Sequence, residues 1–149
     1  MENLFSSSSA EKIIRRIGTL QAGSKPLWGK MDAAQMLAHC QVPIKVGLGD
    51  VSVKRTLIGL LFGGMIKRQF LKGKPFQKNL PTDKSFIMAD AKNFEIEKHQ
   101  LVTIIHRFTN AESTVFSKKI HPFFGKMTAD EWGTLTWKHL DHHLQQFGV

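Results

Sequence analysis

The C-terminal segment has the clearest helix signal in the chain, and this segment limits the fold most. Thr128 and Glu131 have the spacing of a capping box, and the acidic residues of the first turn favour the helix dipole. Apolar residues then recur at helical intervals as far as Phe147. A helix with such an apolar face has to bury it against other elements, so the rest of the chain must supply matching surfaces.

Four further segments show the same helical spacing of apolar residues. The first is predicted to begin near Ser8 and the second after Asp32, because Ser8 and Glu11, and again Asp32 and Gln35, have the spacing of a capping box. The other two are predicted to begin near Lys54 and near Asp90, and the four to end before Gly23, at Gly47 to Gly49, at about Leu71 and at about Phe108. The β-branched residues between Leu101 and Ile105 favour a strand, but the longer helical period around them favours a helix. Residues 73–81 are predicted as a loop and residues 113–125 as a connector. The chain is therefore predicted to be all-α.

Length and composition fit one folded domain spanning residues 1–149. Hydrophobic residues make up 42% of the chain, which is enough for a core. Cys40 is the single cysteine, so an internal disulfide is excluded. No apolar signal segment precedes the serines at 6–9, and the longest apolar run, Leu57 to Ile66, is about half of the ~20 residues that a membrane span needs. We expect a cytoplasmic protein without a membrane partner.

The formal net charge of +9 points to an anionic partner or to well-solvated lysines. Part of this charge forms a loose cluster on either side of the apolar run, at Lys54, Arg55, Lys67, Arg68, Lys72, Lys74 and Lys78. Solvated lysines around a helix are one interpretation, and a rim that attracts an anionic ligand is the other. Nucleic-acid binding is unlikely, because the sequence has no recognised motif or aromatic-basic platform for it.

Histidine is unusually frequent, with seven residues, and two of them share a face of the last helix. His139 and His143 are four residues apart, about 40° on a helical wheel, and lie close to the apolar face. His142 falls at the margin of that face. Thr134, Lys138, Asp141 and Gln145 gather on the opposite, polar side. The spacing of His139 and His143 allows two imidazoles to reach one metal ion, although such a pair taken alone is more often a matter of packing or surface placement.

His39 is the best candidate for a third ligand. It shares an inward arc of the second helix with Met36, Val42 and Val46. Pro43 removes the helical hydrogen bond to the His39 carbonyl, so a local bend is expected there, whether for the site or for packing alone. Three neutral imidazoles with an open position are typical of catalytic zinc and also suit other divalent metals. Zinc or nickel is favoured; iron, manganese, cobalt and copper remain open.

The tail of the chain resembles an uncharacterised bacterial branch of the DinB-like superfamily. The resemblance rests on the motif HPFFG that begins at His121, on Glu131-Trp132, and on the run from His139 to Gly148. Two earlier segments of that branch are also similar. The segment that opens its second helix resembles Trp28 to Met31 followed by Leu37 to Cys40, and its middle segment resembles Leu71 to Phe76. The resemblance implies a four-helix bundle with short additional helical or loop segments. It also implies a three-histidine metal site, at the matching positions His39, His139 and His143.

Better-known members of the superfamily are thiol-dependent transferases and isomerases. By this resemblance, we expect a metal-dependent transferase or hydrolase that acts on a small-molecule substrate, either a low-molecular-weight thiol or another small anion. The alternative is a non-catalytic metal- or ligand-binding stress-response protein. A homodimer is a further expectation, since related bundles often form one.

Six other residues are candidates for a role near the site. The thiol of Cys40 is expected to be buried and inert. His121 has three possible roles: it lines the mouth of the site, it acts as a fourth ligand, or it fixes the turn before the last helix. The third role is favoured. The remaining candidates are Trp28 and Trp132, as core aromatics or pocket walls, and Gln35 and Gln146, as ligand contacts or solvated surface residues.

Overall fold

A computed structural model of the protein describes residues 1–72, 75–79 and 86–149. These residues are mostly helical, and the predicted all-α class agrees with them. In chain order the elements are α1 (Ser7–Thr19), α2 (Ala33–Leu48), α3 (Leu57–Leu71), α4 (Phe94–Thr109), α5 (Ser113–Ser117), β1 (Ile120–His121), β2 (Gly125–Lys126) and α6 (Ala129–Gln146). No helix in this part of the chain is both long and apolar enough to cross a membrane.

The two capping boxes that begin α2 and α6 form as predicted. In α2 the Asp32 carboxylate accepts the Gln35 backbone N–H at 2.8 Å, and the Gln35 amide oxygen accepts the Asp32 N–H at 3.1 Å. In α6 the corresponding distances between Thr128 and Glu131 are 3.1 and 2.9 Å. Gly49 ends α2 in the left-handed region at φ 85°, which a residue without a Cβ adopts at no cost. These caps fix where the two histidine-bearing helices begin and end.

The predicted starts of the other three long helices are wrong by one to four residues. In each helix the residue that caps the first turn is the one whose side chain accepts a backbone N–H three positions later. The capping residues are Ser6, Thr56 and Asn93. The polar residues at Ser8, Lys54 and Asp90 make no such bond, so the helices do not begin there.

The predicted connector at 113–125 contains more structure than expected. It holds the short helix α5 and a two-stranded antiparallel sheet that pairs Ile120 with Lys126 and His121 with Gly125. The predicted loop at 73–81 is described only at residues 75–79. Residues 73, 74, 80 and 81, including Lys74 of the basic cluster, lie outside the described residues.

Helices α1, α2, α4 and α6 pack against one another around the core. Helix α2 contacts α4 and α6, and α1 contacts the same two helices from the other side. Fully buried side chains from these helices, such as Leu37, Ile44, Leu101, Ile105 and Trp132, form the centre of the core. Leu101 and Ile105 lie in α4, so the β-branched run is helical as predicted. This packing brings α2 and α6, and with them the candidate histidines, side by side.

The polar side predicted for α6 is partly wrong, because Thr134 and Lys138 are buried. The N-terminal residues lie along this side of α6: the Leu4 N–H donates to the Gly133 carbonyl at 3.1 Å, and the Asn3 amide donates to the Thr134 hydroxyl at 3.2 Å. Farther along, the Lys138 ammonium donates to the carbonyl of Phe70 in α3. Both polar side chains are therefore buried with partners, as buried polar groups require.

Helix α3 approaches the β1–β2 turn through its glycines. A Cβ at Gly59 would lie 2.7 Å from the carbonyl oxygen of Phe123, and a Cβ at Gly63 would overlap that oxygen. Gly64, one residue later, faces open space. The two glycines that face the turn are thus a steric requirement of the contact.

We expect Gly63→Ala to lower the free energy of unfolding by about 1–3 kcal/mol, because the added methyl group displaces α3 from the turn. The matched control, Gly64→Ala, adds the same methyl group to open space and should raise the free energy by about 0.5–1 kcal/mol through helix propensity. Urea unfolding of both variants measures these changes. Equal effects of the two substitutions would contradict the contact.

Candidate metal centre

The three predicted histidines meet between α2 and α6. His139 and His143 lie one turn apart on α6, and His39 faces them from α2. The Nε2 atoms of His39 and His139 are 3.0 Å apart, and the ring centroids of the three imidazoles are 4.6 to 4.9 Å from one another. One ring nitrogen of each histidine lies within 4.8 Å of the other two. We call these residues the histidine cluster.

Two of the rings are oriented by acceptors on their outer side. His39 Nδ1 lies 2.8 Å from the carbonyl oxygen of Phe86, and His143 Nδ1 lies 2.8 Å from the amide oxygen of Gln146. A carbonyl oxygen only accepts hydrogen bonds, so the proton of each neutral ring belongs on Nδ1. The Nε2 atoms of His39 and His143 therefore present bare lone pairs to the cluster, which is the arrangement of metal-ligating imidazoles.

The Gln146 amide is itself held in one orientation. Its nitrogen donates to the Trp28 carbonyl at 2.5 Å, so its oxygen faces His143. The segment that supplies this carbonyl turns at Gly29, with φ 81°, where a Cβ would lie 2.5 Å from the Gln146 amide nitrogen. The Leu27 N–H also donates to the Gln146 carbonyl at 2.7 Å. The chain before α2 thus fixes the orientation of a ring on α6.

His139 is the ring whose outer nitrogen lacks a partner. Within the described residues its buried Nδ1 has no hydrogen-bond partner, while its Nε2 faces His39 Nε2. A proton on His139 Nε2 would satisfy the contact with His39, but it would leave His139 Nδ1 as an unsatisfied acceptor and His143 Nε2 without a donor. A cation among the three Nε2 atoms would satisfy all three lone pairs at once. At Zn–N distances of 2.0–2.1 Å, ligand nitrogens stand about 3.3 Å apart in a tetrahedral site, close to the 3.0 Å between the Nε2 atoms of His39 and His139.

Burial keeps the three rings neutral. It lowers the pKa of His39, and it lowers the pKa of His143 to about 3. The pKa of His139 lies well below its usual value, first because of burial and then because of the neighbouring imidazoles. A proton added to one ring would be poorly solvated and would repel a charge on the next ring. Neutral imidazole is the protonation state that coordinates a metal ion.

His142 and His121 lie close to the cluster and have other contacts. His142 is half-buried, as its marginal wheel position predicted, and packs against Trp28, Phe76 and His143 with ring centroids 5.2 to 5.9 Å apart. His121 Nδ1 accepts the backbone N–H groups of Phe123 and Phe124, both at 3.1 Å. Burial lowers the pKa of His121 to about 4, so it stays a neutral acceptor. His121 therefore fixes the turn before α6.

The remaining candidate residues lie either in the core or at the surface of the protein. Cys40 is buried, with its Sγ 3.7 Å from Met36 Sδ and its pKa raised by burial, which fits an inert thiol. Trp132 is a core residue, whereas Trp28 is only half-buried. Gln35 completes the α2 capping box. Helix α2 continues through Pro43, and the bend expected there stays a prediction.

The sequence pattern gave no reason to prefer a site role for Gln146 over a solvated one. The residue is 3% exposed, and both ends of its amide are used. Its spacing of three residues from His143 puts the two side chains on neighbouring positions of one helix face, which is the only signal that could have found it. Phe86 acts through its backbone carbonyl, which leaves no side-chain signal in a sequence.

A surface cavity of about 290 Å³ lies next to the cluster on the His142 side. His142, Lys138, Trp137 and Phe76 line it together with acidic side chains. The two acids, Glu2 and Asp141, are paired with Lys12 and Arg16, at 2.6 Å each. The cavity thus combines aromatic walls with the cationic Lys138.

These features define an all-helical protein with a buried three-imidazole site beside a small surface cavity. The chain belongs to the family described as Protein of unknown function (DUF1569), whose model matches residues 3–148. No curated protein and no solved structure matches the chain significantly.

Proposed function

We propose that this protein binds one divalent metal ion through His39, His139 and His143 and uses it in a transfer or hydrolysis reaction on a thiol or another small anionic substrate. The observation that carries the proposal is the convergence of three neutral imidazoles whose lone pairs face one point. Zinc or nickel is the proposed ion, and iron, manganese, cobalt and copper also suit three nitrogen donors.

The proposal includes the DinB-like four-helix bundle as the architecture. The mutual packing of α1, α2, α4 and α6 supports it, as does the distribution of the three histidines over the second of these helices and the last. That distribution is the one implied by the resemblance in the HPFFG and His139 to Gly148 segments. We also keep the cytoplasm as the location, because the only cysteine is a buried, free thiol.

A bound divalent ion would act as a Lewis acid and make a thiol or water nucleophilic near neutral pH. The protein's own contribution is to hold three donors in place before the ion arrives. Phe86 and Gln146 fix the tautomers of His39 and His143, and burial keeps water and protons away from the rings. The neighbouring cavity of about 290 Å³ supports a small substrate.

We expect tag-free wild-type protein to bind about one equivalent of Zn²⁺ or Ni²⁺, and His143→Ala to lose more than about tenfold in affinity, because two imidazoles make a weak site. Metal analysis after dialysis and isothermal titration calorimetry measure this. His139→Ala should behave alike, and circular dichroism of both variants checks that they fold.

The matched control for the ligand variants is His99→Ala, which removes an exposed imidazole from α4. It should retain the full metal content. If His143→Ala and His139→Ala bind as much metal as His99→Ala, the ligand assignment is wrong.

We expect Gln146→Leu to weaken metal binding about 10–100-fold, because His143 loses the acceptor that holds its proton on Nδ1. Gln145→Leu is the matched control, since Gln145 is the exposed neighbour and bonds to Asp141 instead. Calorimetric titration of both variants gives the affinities. Equal affinities in the two variants would show that Gln146 does not act on the site.

The second candidate function is non-catalytic binding of a metal or ligand, in a stress response. The near-complete burial of His39 and His143, 4% and 9% exposed, favours it, because a closed site limits access of a substrate to the ion. Thiol-transfer assays with a panel of low-molecular-weight thiols separate the two functions. We expect turnover that needs both the metal and His143; no turnover with any thiol by a metal-loaded protein would favour the binding role.

A further inference from the structure

Helix α3 exposes large apolar side chains over most of its length. Six of them are 48–78% exposed: Leu57, Ile58, Leu60, Leu61, Phe62 and Met65. We call this surface the outer face of α3. On a helical wheel the exposed positions cover an arc of about 200°. The six residues lie side by side on this arc, and a contiguous exposed apolar patch is typical of an interaction site.

The contacts on the inner side of α3 do not explain why the helix carries so many large apolar side chains. Over its first three turns its contacts with the rest of the protein include Gly59 and Gly63 against the Phe123 carbonyl, and Lys67, whose ammonium lies 2.9 Å from the Glu131 carboxylate. The last turn differs, because Phe70 packs against Phe76 and Phe124. In the first three turns the small residues thus face the protein and the large apolar ones face outward. A helix that is apolar all round normally has a second apolar environment to enter.

The charge around the outer face has one sign. Between Asp50 and Asp83 the sequence has seven basic residues and no acidic one. Lys54 is exposed at the start of α3, and Arg68 and Lys72 are exposed at its end. Lys78 is exposed as well, with its ammonium 4.4 Å from the centre of the Trp28 ring. The apolar surface is therefore framed by cations at both ends of the helix.

We propose that the outer face of α3 binds an anionic lipid surface. A helix with leucine and phenylalanine on one face and lysine and arginine at its edges lies in the membrane interface, where the apolar side chains enter the acyl region and the cations contact anionic headgroups. A second copy of this chain is the less favourable occupant, because a symmetric contact would bring the same uncompensated cations together.

The binding mode is in the membrane plane. The 15 residues of α3 span about 22 Å, less than the ~30 Å of a bilayer core. The expectation of no membrane partner rested on the lack of an apolar signal segment and on this short run, which argue against a span and leave interfacial binding open.

Vesicle flotation with the full chain tests the proposal. We expect binding to phosphatidylcholine vesicles that contain about 30% phosphatidylglycerol to be at least about tenfold stronger than to pure phosphatidylcholine, and to weaken between about 0.1 M and 0.5 M salt. The double variant Leu57→Gln/Leu61→Gln should lose binding at least about tenfold, because it removes apolar contact. Arg68→Gln/Lys72→Gln should lose the preference for anionic vesicles.

The control is Ile96→Gln, which removes an exposed apolar side chain, 53% exposed, from α4. It should bind vesicles like the wild type. Failure of the wild type to float with anionic vesicles, or equal loss in Ile96→Gln, overturns the proposal. Sedimentation equilibrium tests the competing occupant, a second copy of the chain. If the wild type is a dimer, Leu57→Gln/Leu61→Gln dissociates it and no vesicle binding is found, the outer face of α3 is a dimer interface.

Discussion

The approach of three uncharged imidazoles in a water-poor space between two helices is the interaction on which the rest of the structure depends. The Nε2 atoms of His39 and His139 lie 3.0 Å apart, a distance at which two lone pairs repel unless a proton or a cation lies between them. Burial opposes an added proton, because it lowers the pKa of all three rings. The proton of a neutral His139 could lie on Nε2 and donate to His39, but His139 Nδ1 would then be a buried acceptor without a partner among the described residues. A metal ion is the partner that suits both the spacing and the neutral state of the rings, and this is the basis for the proposed activity.

The rigidity of the cluster comes from parts of the chain that carry no ligand. Trp28 lies in the segment before α2, and its carbonyl orients Gln146, which orients His143. Phe86 lies in the segment before α4, and its carbonyl orients His39. The rings of His39 and His143 are thus each tied to a connection between helices as well as to their own helix. Preorganised donors of this kind lose less entropy on binding an ion, which is why outer contacts affect metal affinity.

The sequence predicts a feature well where a periodic pattern or a local cap determines it. The capping boxes at Asp32 and Thr128 formed as predicted, and the four-residue spacing of His139 and His143 placed both rings beside His39. The helical wheel wrongly predicted that Thr134 and Lys138 are exposed. The N-terminal residues and α3 cover that side of α6, and no pattern within α6 reports on distant segments. The carbonyl of Phe86 was unpredictable for a related reason, since every residue has the same backbone acceptor.

Helix α3 shows a different limit of sequence patterns. The sequence shows both its glycines and its apolar run. Which of these residues face the protein and which face outward depends on the position of the Phe123 carbonyl. Once the glycines face that carbonyl, the helical repeat forces Leu57, Leu61 and Met65 outward. Exposure of so many large side chains does not stabilise an isolated chain in water. The composition of α3 is therefore explained by a second apolar environment and not by the fold alone, whereas the histidine cluster is complete within the fold.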